Sequence, residues 1–214
     1  MASQELVIAP LRAEEIGPAA ALLGLALSTN PMHRAAFGDP DDAARLRQER
    51  LFAVILGDLP GGRLVARRDG RVLGVLRTVR SPDCRQPAGG TGRLAPLLAP
   101  LLGEAAPRVA EWFAIWAAHD PSATHWHLGP FAVAVDAQRR GIGSRLLARF
   151  CEHVDRLGEP AHLETDRPEN VRLYRRFGFE TRAEVGILGV KNYFMWRPPT
   201  RGARVALPAH DRRP

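Results

Sequence analysis

Hydrophobic and polar residues follow two periods along this chain, and these periods predict its secondary structure. Spacing of three and four residues, which gives a helix one apolar face, predicts helices over residues 14–27, 41–56, 94–118, 141–157 and 169–177. Period-two alternation and short apolar runs predict strands over residues 6–10, 125–135, 161–165, 179–185 and 193–196. Two further alternating runs within residues 63–79 predict a hairpin with Asp69-Gly70 at its turn. Helices and strands interleaved in this way indicate an α/β domain with a mixed sheet.

Proline and glycine mark the expected loops and the domain limits. Residues 28–40 contain two prolines and a glycine and are predicted to form a loop, and residues 80–93 are predicted to form a linker or mobile loop. Prolines within residues 94–118 are expected to split that helical segment. We expect one domain over residues 1–197 and a disordered tail over residues 198–214.

Charge and composition narrow the classes of partner. The formal net charge is +7, and residues 197–214 alone hold five arginines and one acid. The rest of the positive charge is too small and scattered for a nucleic-acid-binding face, so no nucleic-acid partner is predicted. Lys191 is the only lysine, an arginine bias typical of a GC-rich bacterial genome. No apolar run suits a membrane span or a signal peptide, and two isolated cysteines form no disulfide framework, so we expect a cytoplasmic protein without a membrane partner.

The segment that joins the strand over residues 125–135 to the next helix favours binding of a diphosphate. Its sequence is Gln138-Arg139-Arg140-Gly141-Ile142-Gly143-Ser144. Several converging backbone N–H groups hold a diphosphate, and a helix N-terminus supplies them together with a favourable dipole. Gly141 and Gly143 allow close approach of the backbone, and the two arginines can add charge-assisted hydrogen bonds.

With its flanks, this segment resembles the GNAT superfamily of acetyl-CoA-dependent N-acetyltransferases. The family pattern is Gln/Arg-x-x-Gly-x-Gly/Ala after the central strand, and Gln138, Gly141 and Gly143 match it in order, with Val135 where many members have proline. The resemblance implies a mixed, mostly antiparallel central sheet flanked by helices, with a V-shaped gap beside the central strand. It also implies that acetyl-CoA binds to that strand and to the loop, through Ala132, Val133, Ala134, Arg139, Arg140, Gly141, Ile142, Gly143 and Ser144.

Residues 163–180 carry the other half of the resemblance. Many family members have an asparagine after the next strand, a tyrosine four residues later and then Gly-Phe, and Asn170, Tyr174 and Gly178-Phe179 match those positions. The i, i+4 spacing places Asn170 and Tyr174 on one face of a helix. The resemblance implies that Asn170 hydrogen-bonds the cofactor and that Tyr174 is the general acid for the departing CoA thiolate. A phenol with a pKa of about 10 suits this role, since a thiol has a pKa of about 8.5 or more.

The group that accepts a proton from the attacking amine has several candidates. Attack on a thioester requires a neutral amine, so a proton has to leave it. His127, eleven residues before Gln138, matches the position at which histone-acetylating relatives carry a catalytic glutamate. Glu164 at the end of the next strand is the second candidate, and ordered water is the third.

Candidates for a metal site are His119, Asp120, His125 and His127, because His-x-His on a strand places both imidazoles on one face. The alternative for such histidines is a packed position with a structural hydrogen bond. The sequence shows no neighbouring cysteine or further ligand pair, so no metal is predicted.

The acceptor is expected to contact residues outside both motifs. Candidate substrate-binding residues are His33 and Phe37 in the first loop, and Trp112 and Trp116 in the segment before the central strand. Aromatic residues at this spacing belong more often to a hydrophobic core than to a ligand site. The C-terminal third also resembles puromycin N-acetyltransferase, which modifies a small-molecule antibiotic, but the N-terminal half shows no comparable match.

Together these features predict transfer of acetyl from acetyl-CoA to a primary amine of a small molecule in a ternary complex. Two alternatives stay open: a protein acetyltransferase that acts on lysines or N-termini, and a CoA-binding regulator without catalysis. A protein substrate would need an open groove, whereas a small-molecule enzyme would close the gap with residues 80–118. A homodimer is left open as well.

Overall fold

The structure is a computed structural model that describes residues 5–84 and 95–200. Its helices are α1 (Ile16–Leu27), α2 (Pro31–Phe37), α3 (Asp42–Gly57), α4 (Ala95–Leu102), α5 (Ala106–His119), α6 (Ile142–Leu157) and α7 (Pro168–Arg175). Its strands are β1 (Val7–Pro10), β2 (Gly62–Arg68), β3 (Arg71–Arg80), β4 (Trp126–Val133), β5 (Ala161–Thr165), β6 (Glu180–Ile187) and β7 (Val190–Arg197). The interleaved helices and strands confirm the predicted α/β class.

The strands form one seven-stranded sheet in the described part of the chain, in the order β1-β2-β3-β4-β5-β7-β6. Among the neighbouring pairs of this sheet, only β4 and β5 are parallel, and the others are antiparallel. The predicted mixed, mostly antiparallel sheet is therefore confirmed. β3 is buried from Val72 to Val79, which requires cover on both faces of the sheet. Helices α1 and α6 both pack against β3 and β4.

The β2–β3 hairpin forms where the sequence predicts it. Asp69 and Gly70 have positive φ angles of 52° and 74°, as a two-residue hairpin turn of type I′ requires. Farther along β3, helix α6 approaches so closely that a Cβ at Gly74 would lie 2.9 Å from Leu146 Cδ1. Because Gly74 pairs with Val133, this contact brings the first turns of α6 to the end of β4.

The sheet opens between β4 and β5. Their pairing is limited to Trp126 with Ala161 and His127 with His162, after which the two strands separate. β4 also carries a bulge opposite Arg77, where its register with β3 shifts. The V-shaped gap beside the central strand is therefore present as predicted.

The prediction of a loop over residues 28–40 is wrong, because α2 lies within it. Pro31 occupies the first turn of α2, where the missing N–H of proline removes no helical hydrogen bond. Gly38 follows the helix with a φ of 91° and ends it. The residues that suggested a loop are thus the ones that begin and end a short helix.

The helical segment over residues 94–118 is divided, but the break lies between its two prolines and not at either of them. Pro107 lies in the first turn of α5, where it is tolerated, whereas Pro100 lies inside α4. The break follows α4 at Gly103, which has a φ of 52°. A positive φ is open to glycine at little steric cost, and this explains the position of the break.

The two predicted segments without regular structure are described only in part. Residues 85–94 and 201–214 lie outside the described residues, so the linker is described as far as Cys84 and the tail as far as Thr200. Within the described ranges, no helix combines the length and apolarity that a membrane span requires. One cluster of buried hydrophobic side chains extends from Leu6 to Met195.

Candidate active site

The turn between β4 and α6 has the geometry of a diphosphate-binding loop. Arg139 and Gly141 have positive φ angles of 60° and 79°, and no side chain of the described residues caps α6 at Gly141. The first four amides of an α-helix lack partners within the helix, so these amides are available to an anion. A Cβ at Gly143 would lie 3.4 Å from Phe131 Cζ and 3.5 Å from Val133 Cγ2, which leaves little room for a side chain between turn and strand.

The other predicted residues of this turn divide between solvent and core. Arg140 is exposed like Arg139, and Ser144 is half-buried. Ile142 is 3% exposed, so it can offer a ligand its backbone amide but not its side chain. Gln138 stabilises the turn, since its Nε2 donates to Val133 O at 3.1 Å.

The edge of β4 that faces the gap corrects the prediction for residues 132–134. Ala134 N–H donates to Leu73 O at 2.9 Å, on the side of β3. Because N–H directions alternate along a strand, Ala132 also points to β3, and Phe131 and Val133 point to the gap. Of the three predicted residues, only Val133 therefore presents its backbone to an extended ligand, and Phe131 joins it. Which residues of β4 direct their N–H groups to β3 depends on how the two strands pair, and the sequence pattern does not show that pairing.

A cavity of about 210 Å³ opens in the gap between β4 and β5. Residues from the end of β5 and from α7 line it, namely Glu164, Thr165, Asp166, Asn170 and Tyr174. Residues of α5 line it as well, namely Trp112, Phe113, Trp116 and Ala117. The predicted acid, one predicted cofactor ligand and several predicted acceptor contacts thus meet in a single cavity.

Tyr174 and Asn170 lie one helical turn apart, as their spacing predicts. Tyr174 is 6% exposed, and its hydroxyl has no hydrogen-bond partner among the described residues. Burial, and then the charge of Asp166, raise the pKa of the Tyr174 phenol above its usual range, so the phenol keeps its proton. Asn170 Nδ2 donates to Thr165 Oγ1 at 3.3 Å, a weak bond that a ligand could replace.

The profile of the Acetyltransferase (GNAT) family matches residues 26–179, which include both motifs. The chain belongs to this family. It is accordingly an acyltransferase that uses acetyl-CoA, as the sequence predicts. The glycine turn and the uncapped start of α6 fit the diphosphate of that cofactor.

Solved structures share the fold of this GNAT chain at low sequence identity. A histone acetyltransferase and related acetyltransferase from Corynebacterium glutamicum is 21% identical with a TM-score of 0.70, over 93% of this chain and 99% of that one. A polyamine N-acetyltransferase from Drosophila melanogaster is 13% identical with a TM-score of 0.62, over 90% and 98%. A GNAT acetyltransferase from Brucella melitensis in complex with acetyl-CoA is 17% identical with a TM-score of 0.51, over 91% and 88%.

The two side chains predicted as proton acceptors of this acetyltransferase contact each other. His127 Nε2 lies 2.8 Å from Glu164 Oε2, and His162 Nε2 lies 3.0 Å from Glu164 Oε1. Burial opposes ionisation of Glu164, but the two imidazoles outweigh it and lower the pKa of the carboxyl. His127 and Glu164 both line the cavity and stay predictions for the proton acceptor, directly or through water. His162 is a buried partner that the sequence analysis missed, because a strand histidine carries no further signal.

Three of the four predicted acceptor contacts line the cavity of this acetyltransferase. His33, Trp112 and Trp116 are among the lining residues, whereas Phe37 is not. Phe37 is a core residue that stacks against His33 with ring centroids 6.1 Å apart. His33 Nδ1 lies 2.9 Å from Gln48 Oε1, and burial lowers the pKa of His33 to about 4. The cavity therefore contains an uncharged imidazole at neutral pH.

Three charged cavity residues were not among the predicted candidates, namely Arg77, Asp83 and Asp166. Arg77 is buried, and its Nη1 donates to Gly129 O at 3.3 Å, while burial lowers its pKa to about 10. Asp166 Oδ2 accepts a hydrogen bond from Met32 N at 2.7 Å, and burial raises the pKa of Asp166. Asp166 directly follows β5, and a polar residue at the end of a strand is a feature from which the sequence could have identified it as a candidate. Arg77 sits within an alternating hairpin and carried no such signal.

A cluster of metal-ligand residue types lies in the wall of the cavity. It contains Cys84 together with Asp120, His125 and His127, which are three of the four metal-ligand candidates from the sequence. His119 lies outside it, exposed and bonded through Nδ1 to Ile115 O at 2.8 Å. Cys84 is not a neighbour of this set in the sequence, because it precedes His125 by 41 positions and reaches it only through the pairing of β3 with β4.

Proposed function

We propose that this acetyltransferase transfers acetyl to a primary amine of a small molecule by direct attack in a ternary complex. The observation that carries the proposal is the wall formed by α5 across the gap. Trp112, Phe113 and Trp116 on α5 line the same cavity as Tyr174 on α7. A protein substrate would need an open groove for its backbone at this place. The wall therefore favours a small molecule over the alternative of a protein acetyltransferase.

Binding of the cofactor is assigned to two backbone surfaces. Acetyl-CoA supplies a thioester whose acetyl carbon is open to attack by an amine. The amides of residues 141–144 and the side chains of Arg139 and Arg140 hold its diphosphate, since they combine an uncapped helix start with two exposed guanidinium groups. The gap-facing backbone of Phe131 and Val133 pairs with the extended arm, as an added strand would. Asn170 offers its amide to the same arm.

Tyr174 supplies the acid. Its phenol keeps its proton, lines the cavity and is free of hydrogen bonds to the described residues, so it can donate that proton to the sulfur as the carbon–sulfur bond breaks. The proton that the amine loses restores the phenol, and the products are an amide and a free thiol. His127, Glu164 or water relays that proton.

The charges and rings of the cavity suit an amine with an apolar body. The carboxyl groups of Glu164 and Asp166 attract an ammonium group at one side of the cavity, and the aromatic residues of α5 face an apolar substituent at another. The neighbour named a polyamine N-acetyltransferase indicates that this fold accommodates small amines. The resemblance to puromycin N-acetyltransferase, a homodimer and a cytoplasmic location stay predictions.

One assay separates the three functions. The purified chain is incubated with acetyl-CoA and a panel of amines, and release of free thiol is measured. The panel contains polyamines, agmatine and aromatic amines, with a lysine peptide and an N-terminal alanine peptide as the protein arm. We expect turnover of at least one small amine, with a kcat/KM at least about 100-fold above that of either peptide. Turnover of peptides alone would establish the protein acetyltransferase, and CoA binding without turnover in any arm would establish the regulator.

A further inference from the structure

Side chains from three separate parts of the chain place four potential metal ligands in the wall of the cavity. Cys84 follows β3, Asp120 follows α5, and His125 and His127 lie at the start of β4. One ligand atom of each residue lies within 4.8 Å of those of the other three. We propose that Cys84, Asp120, His125 and His127 bind one zinc ion, with all four ligands supplied by the protein.

Four separations within the cluster are close to the edge lengths of a tetrahedron around zinc, with both carboxylate oxygens of Asp120 among the atoms that they join. Cys84 Sγ lies 3.6 Å from His125 Nε2 and 3.8 Å from Asp120 Oδ2. Asp120 Oδ1 lies 3.3 Å from His125 Nε2 and 3.6 Å from His127 Nδ1. Zinc bonds of about 2.0–2.1 Å to nitrogen and oxygen and about 2.3 Å to sulfur give tetrahedral edges of roughly 3.3–3.6 Å. Small movements of the side chains would therefore complete the coordination.

The hydrogen bonds of the two histidines leave the required nitrogens as acceptors. His125 Nδ1 lies 2.8 Å from Ala123 O, and a carbonyl oxygen only accepts, so Nδ1 carries the proton and Nε2 faces the cluster. His127 Nε2 lies 2.8 Å from the Glu164 carboxylate, and its Nδ1 is buried without a hydrogen bond to any described residue. Zinc-binding histidines characteristically donate their second N–H to a carbonyl or a carboxylate. Both histidines follow this rule, and the buried Nδ1 of His127 is what a metal would satisfy.

The ligand types favour zinc and a structural role. A thiol, two imidazoles and a carboxylate are a borderline-soft set, which excludes calcium and magnesium as the preferred ions. Zinc sites with four protein ligands are structural, because catalytic zinc keeps one position open. Ser81 already aligns the cysteine segment with β4, since Ser81 N donates to His125 O at 2.9 Å and His125 N donates to Ser81 Oγ at 3.0 Å.

A zinc ion here would tie the ends of β3 and α5 to β4 and so hold the α5 wall of the cavity. It would also change the assignment of the proton relay. With zinc on Nδ1 and a proton on Nε2, His127 has no nitrogen left to accept a proton. Glu164 or water would then remain as the proton acceptor.

Zinc content and cobalt spectra test the proposal in the full chain, purified without an affinity tag. Wild-type protein is stripped with a chelator, reloaded with zinc and analysed for metal, and a second sample is loaded with cobalt. We expect one zinc per chain, a thiolate-to-cobalt charge-transfer band, and zinc affinity lowered at least about 100-fold by Cys84→Ser or by His125→Gln. The matched controls Cys151→Ser and His153→Gln change the same residue types on α6, outside the cluster, and should bind zinc like wild type.

Alkylation of the wild-type protein keeps the test valid if a ligand variant fails to fold. Zinc should slow modification of Cys84 by iodoacetamide at least about tenfold, with the protection lost on addition of chelator, because a coordinated thiolate is blocked. Cys151 should react equally with and without zinc. Reloaded wild type that holds no zinc, a folded Cys84→Ser variant that binds zinc as tightly as wild type, or equal alkylation of Cys84 in both states would each overturn the proposal.

Discussion

The turn proposed to bind the cofactor (the cofactor turn) and the cavity proposed to bind the acceptor are built in different ways. The turn consists of consecutive residues, 138–144, and most of it is exposed on the surface. The cavity is assembled from side chains of α1, α2, α3, α5, α7 and several strands, which meet only after folding. A site made of consecutive residues can be recognised from spacing alone, whereas a site made of distant ones depends on the tertiary structure.

The two regions also differ in how far their residues can vary. The turn is proposed to bind the diphosphate through backbone amides and the positive φ angles at Arg139 and Gly141, and this requirement would be the same for every acceptor. The cavity uses side chains, and each of them can change with the acceptor while the sheet stays the same. Tyr174 lines the cavity, and its proposed role as the acid for the departing thiolate would connect the two regions.

The largest effect is expected from Tyr174→Phe. Loss of the proton donor should lower kcat about 100- to 1000-fold while the Kd for CoA stays within about twofold, because the hydroxyl acts on the leaving group rather than on binding. Turnover with the best amine and CoA binding by calorimetry measure the two quantities. Tyr193→Phe is the matched control, since Tyr193 is the other tyrosine and lies on β7 outside the cavity. Equal kcat for Tyr174→Phe and wild type would remove Tyr174 from the chemistry.

Several parts of the molecule are predictable from the sequence because local pattern determines them. The strand over residues 161–165 and the end of α6 at Leu157 agree with the structure residue for residue. The apolar stripe of α6 and the turn at Asp69-Gly70 are determined by residues close together in the sequence, not by contacts between distant segments.

What escapes prediction depends on contacts between distant segments. Phe131 faces the gap because of the register of β4 with β3, and Phe37 turns into the core because α2 forms where a loop was expected. Cys84 reaches His125 only across the β3–β4 pair. Each of these positions is set by pairing or packing, for which a single sequence carries no direct signal.

The buried His33 provides a pH test of the acceptor region. Its pKa of about 4 in the folded chain lies below its value of 6.5 in the unfolded chain, so the unfolded state binds a proton first as the pH falls. Stability is therefore full above pH 6.5 and is lost as the pH falls towards about 4, at up to about 1.4 kcal/mol per pH unit. Between pH 7.5 and pH 5, wild type should lose on the order of 2 kcal/mol more free energy of unfolding than His33→Gln. Urea unfolding at both pH values measures this, and parallel losses would place His33 in contact with solvent.

A pair of glycines at the two ends of α6 tests the cofactor turn by itself. Gly141 and Gly158 both have left-handed φ angles, 79° and 64°, and an alanine at either position costs about 1–2 kcal/mol. Gly141→Ala should raise the Kd for CoA about tenfold, because the strained turn no longer aligns its amides, and should leave the acceptor KM unchanged. Gly158→Ala should lower stability by a similar amount without any change in CoA affinity. Equal CoA affinity in both variants would show that the turn does not bind the diphosphate.

The smallest effect is expected at the α5 wall. Trp116 lines the cavity, and its ring lies 4.9 Å from that of Trp112, centroid to centroid. An aromatic ring beside an ammonium at a half-buried site contributes about 0.5–1 kcal/mol, so Trp116→Leu should raise the acceptor KM about 2- to 5-fold. The KM for acetyl-CoA should stay the same, because none of the residues proposed to hold acetyl-CoA lies on α5. An increase confined to the acetyl-CoA KM would reverse the assignment of the two regions, and it would place α5 on the cofactor side of the gap.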